Sequence, residues 1–538
     1  DFSTILALTT PANETVQFTG NSTFTGDFSN SKIVVNSGVT LTTTFNKLDG
    51  KISNLSGAGN VTLNDTNVDA SDVNDVAGVI SGKVTAIVTT GTASTLNSTL
   101  TNAIATDALT ITINNTSTAA SDLNGLDTKT SVAVNATAIT ALTGDATAVK
   151  TALASSGITT VTNSSLAVNV NSGTASVADI NTINSDSATG IVTATVTSGA
   201  ASVLKSLTTT STDAITMTVN AEASGATAAA DLVSLNGNTN KAITMTAVTS
   251  VSGSYADLVN VYVTNANEYT GEGDEAVAIT GSVTATQADA IADATSGIVT
   301  ATITADTASA LNSALVDSGS QVNAYTLTIT DAILSSTDLN SLDLKTSGTI
   351  TLSNATTINV ANGETLNLNN FTLSNSVTIN DSTGNENITG TSNSDTLNLN
   401  GGNDTVNLGE GSDTVNVNIG NIDTNDNITD TGTSGTDTLN VNGTGTIDSA
   451  SLIDVSGFET LNLGSGDNTI TFDDTTEFSN FTSEFTNIVD AGGTDTLSFG
   501  STAVTGDLDF SKLSEFENLN LSSADDNIIL ENGDPKNV

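Results

Sequence analysis

The sequence predicts a mainly β protein: a β-solenoid in which a β/α repeat solenoid is followed by a parallel β-roll. Three observations point there. A segment of about 108 residues recurs through the middle of the chain, an aspartate recurs every nine residues near its C-terminal third, and the composition is written for strands and tight turns rather than for thick cores.

The composition sets the frame. In 538 residues only 37% are hydrophobic and 3% aromatic, and there are two prolines. That is thin for large globular cores and suits a repeat protein whose apolar layer is one side chain deep. The apolar residues alternate in short regular runs, which sets the chain apart from a disordered one.

Residues 1–66 carry alternating runs such as Lys32-Ile33-Val34-Val35-Asn36 and Val39-Thr40-Leu41-Thr42-Thr43 and read as strands alone. They are expected to cap the first rung, because an uncovered solenoid end exposes unpaired strand groups.

Residues 67–348 hold the long repeat. Gly82-Lys83-Val84-Thr85-Ala86 returns as Gly190-Ile191-Val192-Thr193-Ala194 and as Gly297-Ile298-Val299-Thr300-Ala301. Ala93-Ser94-Thr95-Leu96, Ala201-Ser202-Val203-Leu204 and Ala308-Ser309-Ala310-Leu311 keep the same phase, as do Asp122-Leu123, Asp231-Leu232 and Asp338-Leu339. Runs such as Ile215–Val219 read as strands and stretches such as 228–232 as short helices, giving roughly four strand-plus-helix rungs of about 27 residues per unit. Outward Thr-x-Thr pairs, Thr193/Thr195 and Thr300/Thr302 among them, read chiefly as solvent-facing strand residues.

From about Thr349 the helical signatures give way to strand runs such as Thr365–Leu368, so residues 349–538 form the third expected segment. Within it, Asp395-Thr396-Leu397-Asn398-Leu399, Asp404-Thr405-Val406-Asn407-Leu408 and Asp413-Thr414-Val415-Asn416-Val417 follow one another at intervals of nine. If one unit makes half a coil, units two apart stack at a strand spacing of ~4.8 Å. Asp395 then lies under Asp413, and Asp404 lies on Glu386. Like charges about 5 Å apart repel by ~1 kcal/mol in water and by more when desolvated, so the column calls for a cation. Calcium fits, being hard and tolerant of irregular oxygen ligation. Gly402, Gly409 and Gly411 precede the aspartates, where a turn needs positive φ to aim its carbonyls inward.

These residues resemble the RTX, or hemolysin-type calcium-binding, nonapeptide repeat G-G-x-G-x-D-x-U-x. Gly409, Gly411, Asp413 and Val415 match it best; Asp404 has Gly402 and Val406 but Leu399 and Asn400 at the first two glycine positions. Asp395 has Asn393 at the third glycine position. Echoes follow at Asp437, Asp467, Asp495 and Asp526, with Asn468 where an aspartate is expected. The resemblance covers about 150 residues and implies export by type I secretion and calcium held by this set. Asp423, Asp426 and Asp430 in one loop are a further candidate group.

Charge narrows the function. Against 58 acidic residues stand 11 lysines and no arginine, a formal net charge of −47, which excludes nucleic acid as a partner and favours divalent cations. Residues 381–538 hold 28 of the carboxylates. Without cysteine or histidine there is no thiol chemistry and no Ser–His or Cys–His nucleophile, and without tryptophan or arginine a glycosidase or polysaccharide lyase lacks its platforms, so no enzyme is expected. No apolar stretch is long enough for membrane insertion. The start at Asp1, without methionine or leader, reads as a processed or partial chain. Together with the resemblance, these features predict an extracellular, calcium-dependent, self-assembling surface-layer protein of a bacterial cell, with copies of itself and cell-surface polysaccharide as candidate partners. The alternative is an RTX-type adhesin that binds a glycan or ice.

Overall fold

A computed structural model describes residues 4–5, 14–160, 166–187, 189–316, 322–514 and 516–529. The chain is rich in parallel β-structure with interspersed short helices, and it divides into two compact units. One comprises Asp1–Val251 with Asn260–Glu272, the other Ser252–Val259 with Gly273–Val538. No helix among the described residues is long and apolar enough to cross a membrane.

In the first unit, strands Ser22–Phe24, Thr40–Thr43, Asn60–Leu63, Val84–Ile87 and Ala108–Thr110 lie side by side in one sheet, and each is parallel to the next. Thr42 pairs with Thr62 and Thr62 with Thr85, so equal residues stack on equal residues. A second sheet runs Ser117–Ala119, Ala141–Gly144, Ala167–Val170, Val192–Thr195 and Ala214–Thr216. Within the long repeat the chain returns to its sheet after 20 to 27 residues, as Gly199↔Val219 and Asn220↔Ala247 show, so the expected length of about 27 is the upper end. The helical leg is the reason: helices such as Ala93–Thr99 and Ala201–Leu204 are only one or two turns long.

The long repeat recurs as structure. Its first phase gives strands Val84–Ile87, Val192–Thr195 and Val299–Ile303, and its second gives helices Ala93–Thr99, Ala201–Leu204 and Ala308–Ala314. The third gives Ala120–Asp127, Ala229–Asn236 and Ser336–Asp343, which bury Leu123/Leu126, Leu232/Leu235 and Leu339/Leu342 at helical spacing. One threonine per repeat ties its turn to a strand earlier in the chain. Thr130, Thr239 and Thr346 are buried, and each Oγ1 accepts the N–H and donates to the C=O of one strand residue: Leu109, Ile215 and Tyr325 respectively. An equivalent side chain, Asp107, Asp213 or Asn323, accepts the N–H of Val84, Val192 or Val299.

In the second unit, strands Thr357–Asn359, Thr378–Asn380, Thr396–Leu399, Thr414–Asn418, Thr438–Asn442, Thr460–Leu463 and Asn487–Asp490 lie in order within one parallel sheet. Beside it run Thr365–Asn367, Asn387–Thr389, Thr405–Asn407 and Asn427–Thr429. Register advances by 18 residues at Thr378↔Thr396↔Thr414, the spacing expected of paired nonapeptides. It then lengthens to 24 at Thr414↔Thr438 and 27 at Thr460↔Asn487. Ile379, Leu397, Val415, Leu439, Leu461 and Ile488 form one inward column, each fully buried. The alternate positions form an amide ladder: Asn380 donates to Asn359, Asn398 to Asn380, Asn416 to Asn398, Asn440 to Asn416 and Asn462 to Asn440, at 2.7–3.0 Å.

Several segments depart from the strand-only reading, the single turns Ile52–Asn54, Leu368–Asn370 and Ser449–Leu452 among them. Phe45–Leu48 is a helical turn within residues 1–66. Thr475–Glu484 is a helix beyond Thr349, capped by Asp474, which accepts from the N–H groups of Thr476 and Glu477. The helix forms because Phe478 and Phe481 share one face and pack on Phe472, with Phe499 and Phe510 alongside Phe478.

The threonine fastening gives a direct test. Thr239→Val leaves both backbone groups of buried Ile215 without their partner and is expected to cost about 2–4 kcal/mol, whereas Thr239→Ser stays within about 1 kcal/mol. Denaturant midpoints of the three proteins check it.

Candidate metal centres

The parallel register sets one acidic side chain above another at the entry of successive strands. Glu386, Asp395, Asp404, Asp413, Asp437 and Asp495 each immediately precede a strand and are buried, at 0–5% exposure. One oxygen of each such carboxylate is taken by the backbone of the rung below. Asp395 N–H donates to Asp413 Oδ1 at 2.6 Å, Asp413 N–H to Asp437 Oδ1 at 2.7 Å and Asp437 N–H to Glu459 Oε2 at 2.7 Å. On the other side Glu386 N–H donates to Asp404 Oδ1 at 2.8 Å and Asp404 N–H to Asp426 Oδ1 at 2.9 Å. The stacking of Asp395 on Asp413 and of Glu386 on Asp404 is thus present, with an N–H as the direct link.

The second oxygens are the unusual feature. Among the described residues, carboxylates gather in three groups, within each of which one oxygen per residue lies within 4.8 Å of the others: Asp381/Glu386/Asp404, Asp413/Asp430/Asp437 and Asp490/Asp495/Glu517. Asp381 Oδ1, Glu386 Oε2, Asp404 Oδ2, Asp413 Oδ2, Asp430 Oδ2, Asp490 Oδ2 and Asp495 Oδ2 are buried and meet no hydrogen-bond donor. A buried oxygen without a donor bears the full cost of desolvation, and three together also repel. Such clusters can hold a metal ion: all their donors are carboxylate oxygens, which suits a hard cation.

The construction repeats. An acid ends one strand or follows it directly, as at Asp381, Asp430 and Asp490, a glycine-containing turn follows, and a second acid opens the next strand at Glu386, Asp437 and Asp495. The third member, Asp404, Asp413 or Glu517, comes from an adjacent rung. The turn demands glycine. At Gly402 φ is +156° and a Cβ would stand 1.4 Å from Gly384 O; at Gly435 φ is +113° and it would stand 1.4 Å from Gly411 O. Gly409 and Gly411, at φ +94° and +143°, form the turn before Asp413.

Burial governs the titration of these groups. It pushes the Asp381 carboxyl up to about 7, the neighbouring Glu386 and Asp404 adding to the shift, and it raises Asp404 to about 6. Asp413 is pushed up to about 7 by burial, with Asp430, Asp395 and Asp437 contributing, while burial also raises Asp430 and Asp437. Asp495 reaches about 7 through burial and its contact with Asp490.

Of the sequence-predicted set, Glu386, Asp404, Asp413, Asp437 and Asp495 enter clusters, and Gly402, Gly409 and Gly411 shape turns. Asp395 does not join: Val377 N–H takes Oδ1 at 3.0 Å, and Thr391, four residues upstream, gives Oδ2 both its N–H and its hydroxyl at 2.9 and 2.7 Å. Asp467 is exposed and accepts Thr494 N–H. Asp526 is half-buried, and its Oδ1 takes Val504 N–H and the Ser522 hydroxyl. The position stacked below Asp495 is held by Asn468, whose N–H donates to Asp495 Oδ1. Asp381, Asp490 and Glu517 were not anticipated. Their only sequence signal is an acid at the end of a strand, or one rung away from another acid. Of the loop group, Asp430 belongs to a cluster, whereas Asp426 accepts the N–H groups of Asp404 and Asp423.

Comparison with protein-family models, with curated proteins and with solved structures finds no match to this chain, so the clusters are read from their own chemistry.

With a chelator present, the sign of the pH dependence is fixed. Carboxyls whose folded pKa lies at about 6–7 bind protons more tightly folded than unfolded, where the ordinary value is 3.8. Their stabilisation is complete below about pH 4 and is lost as pH rises through 6–7. The melting temperature is expected to fall by about 5 °C or more between pH 4.5 and 8. Asp404→Asn should flatten that fall, which separates the cluster from general repulsion in the −47 chain; an unchanged slope in the variant contradicts it.

Proposed function

We propose that this chain is a calcium-stabilised structural protein that assembles with copies of itself on the exterior of a bacterial cell, built as a β/α solenoid continued by a parallel β-roll. The three acidic clusters, each with two or three buried carboxylate oxygens that meet no hydrogen-bond donor, carry the reading. Each cluster's oxygens lie within 4.8 Å of one another, close enough to share one ion at calcium–oxygen distances of 2.3–2.6 Å. Magnesium keeps several waters and is usually held by one or two carboxylates, so sets of three carboxylates favour calcium.

Asn468 supports this reading by contrast. Its amide N–H groups hold the carbonyls of Gly464 and Gly466, both at 2.9 Å, so the turn carbonyls there face the ladder position. Where an aspartate occupies that position, a cation between carboxylate and carbonyl does what the amide hydrogens do at Asn468. The nonapeptide residues Gly409, Gly411, Asp413 and Val415 and their resemblance to RTX repeats agree with it.

Calcium at millimolar levels is an extracellular resource, which fits export before folding is complete. A chain of net charge −47 repels its copies, and divalent ions lower that repulsion, so calcium both sets the fold and permits assembly. No catalytic step belongs to this account. A second reading, an RTX-type adhesin holding a glycan, draws on one observation: the uncharged face made of the asparagine ladder and the stacked threonines Thr378, Thr396, Thr414, Thr438 and Thr460.

Electron microscopy of the purified chain with calcium and with chelator separates the two. Ordered sheets or filaments that dissolve in chelator are expected; a monomer in both conditions that retains a sugar polymer favours the adhesin. Independently, Asp413→Asn is expected to lower bound calcium by about one ion per chain while raising the melting temperature of the metal-free protein at pH 8, because it removes one buried repelling charge.

A further inference from the structure

The three clusters are not equivalent in their enclosure. In the first two every carboxylate is buried, Asp381, Glu386 and Asp404 at 6, 2 and 1% exposure and Asp413, Asp430 and Asp437 at 0, 7 and 5%. In the third, Asp490 and Asp495 are buried at 4 and 0%, but Glu517 is exposed. Asp490 and Asp495 both belong to the rung formed by Asn487–Asp490 and Thr496–Phe499, while Glu517 alone comes from the next rung, Leu513–Ser514 and Asn518–Asn520.

That next rung is joined through short strands and through the buried side chains of Leu513 and Phe516. Its strands are two and three residues long, pairing Ile488↔Leu513, Val489↔Ser514 and Thr496↔Asn518 to Ser498↔Asn520. Beyond the strand pairing, Glu517 and Asn518 donate their N–H groups to Asp495 O, and Glu517 Oε2 accepts Asp495 N–H at 2.7 Å. Asp490 Oδ2 and Asp495 Oδ2 remain buried without donors. An ion at this position has two enclosed ligands fixed on one rung and one solvent-accessible ligand on the other, so binding the ion and seating the rung are one event.

Resting on the calcium reading above, we infer that the Asp490/Asp495/Glu517 cluster is a reversible calcium clasp that fastens the strands Leu513–Ser514 and Asn518–Asn520. It fills at higher calcium than the two enclosed clusters, because water competes for the exposed Glu517 and because the rung must be ordered on binding. The enclosed sites set the fold, and the open site responds to the calcium level outside.

Hydrogen exchange of the full chain, followed by mass spectrometry over a stepwise titration with calcium chloride, tests this. Amides of strands between 378 and 442 are expected to gain protection first, and those of Leu513–Ser514 and Asn518–Asn520 at about tenfold higher calcium. Glu517→Gln keeps an oxygen for Asp495 N–H but removes the charge; it should abolish the calcium response in these two strands and leave that at 378–442 intact. A common midpoint for all segments in the native chain, or an undiminished response of the two strands in the variant, overturns the clasp while leaving calcium binding standing. No response in any segment overturns the calcium reading itself and the clasp with it.

Discussion

Parallel pairing in register places each side chain one strand spacing from its counterpart on the next rung, so every column of the sheet must tolerate its own kind. That constraint orders the second unit. Aliphatic residues stack into a continuous buried line from Ile379 to Ile488. Asparagine suits such a column because its amide is donor on one side and acceptor on the other, and the ladder from Asn359 to Asn462 uses both. Aspartate suits it least, since a carboxylate offers acceptors only and repels the next.

The chain meets the acidic column in several ways. One oxygen accepts the backbone N–H of a neighbouring strand's acid, which leaves the charge in place and only the second oxygen to be served. The other is satisfied by a hydroxyl four residues upstream at Asp395, while the acid is replaced by an amide at Asn468. Where no such hydroxyl is present and a second acid closes the turn, charged oxygens are left that a proton or a cation can serve. The raised carboxyl pKa values at Asp381, Asp404, Asp413 and Asp495 are the proton's side of that choice.

Much of this was legible in the sequence, for reasons that also mark its limits. Periodicity survives translation into structure, so the recurrence of Gly82, Gly190 and Gly297 and the stacking of Asp395 with Asp413 could be read directly. Contacts between rungs could be placed only while the offset stayed at 18 residues. Once it lengthened to 24 and 27, the partners of Asp437 and Asp495 fell out of reach of any fixed spacing. Asp395 was assigned to the metal set because its unit looks like its neighbours. What removes it is Thr391, a local hydrogen bond that a motif read in isolation does not weigh. The helix Thr475–Glu484 was masked by its polar composition, although Phe478 and Phe481 lie three residues apart and bury one face.

The central claim is that cations replace protons in these clusters. The most direct measurement is proton release on adding calcium chloride to the metal-free chain in weakly buffered solution at pH 6.5 and at pH 9. The account predicts release at pH 6.5, where Asp381, Asp413 and Asp495 still hold protons, and none at pH 9, where they have lost them. Calcium binding without proton release at pH 6.5, or no calcium uptake at either pH, would contradict it.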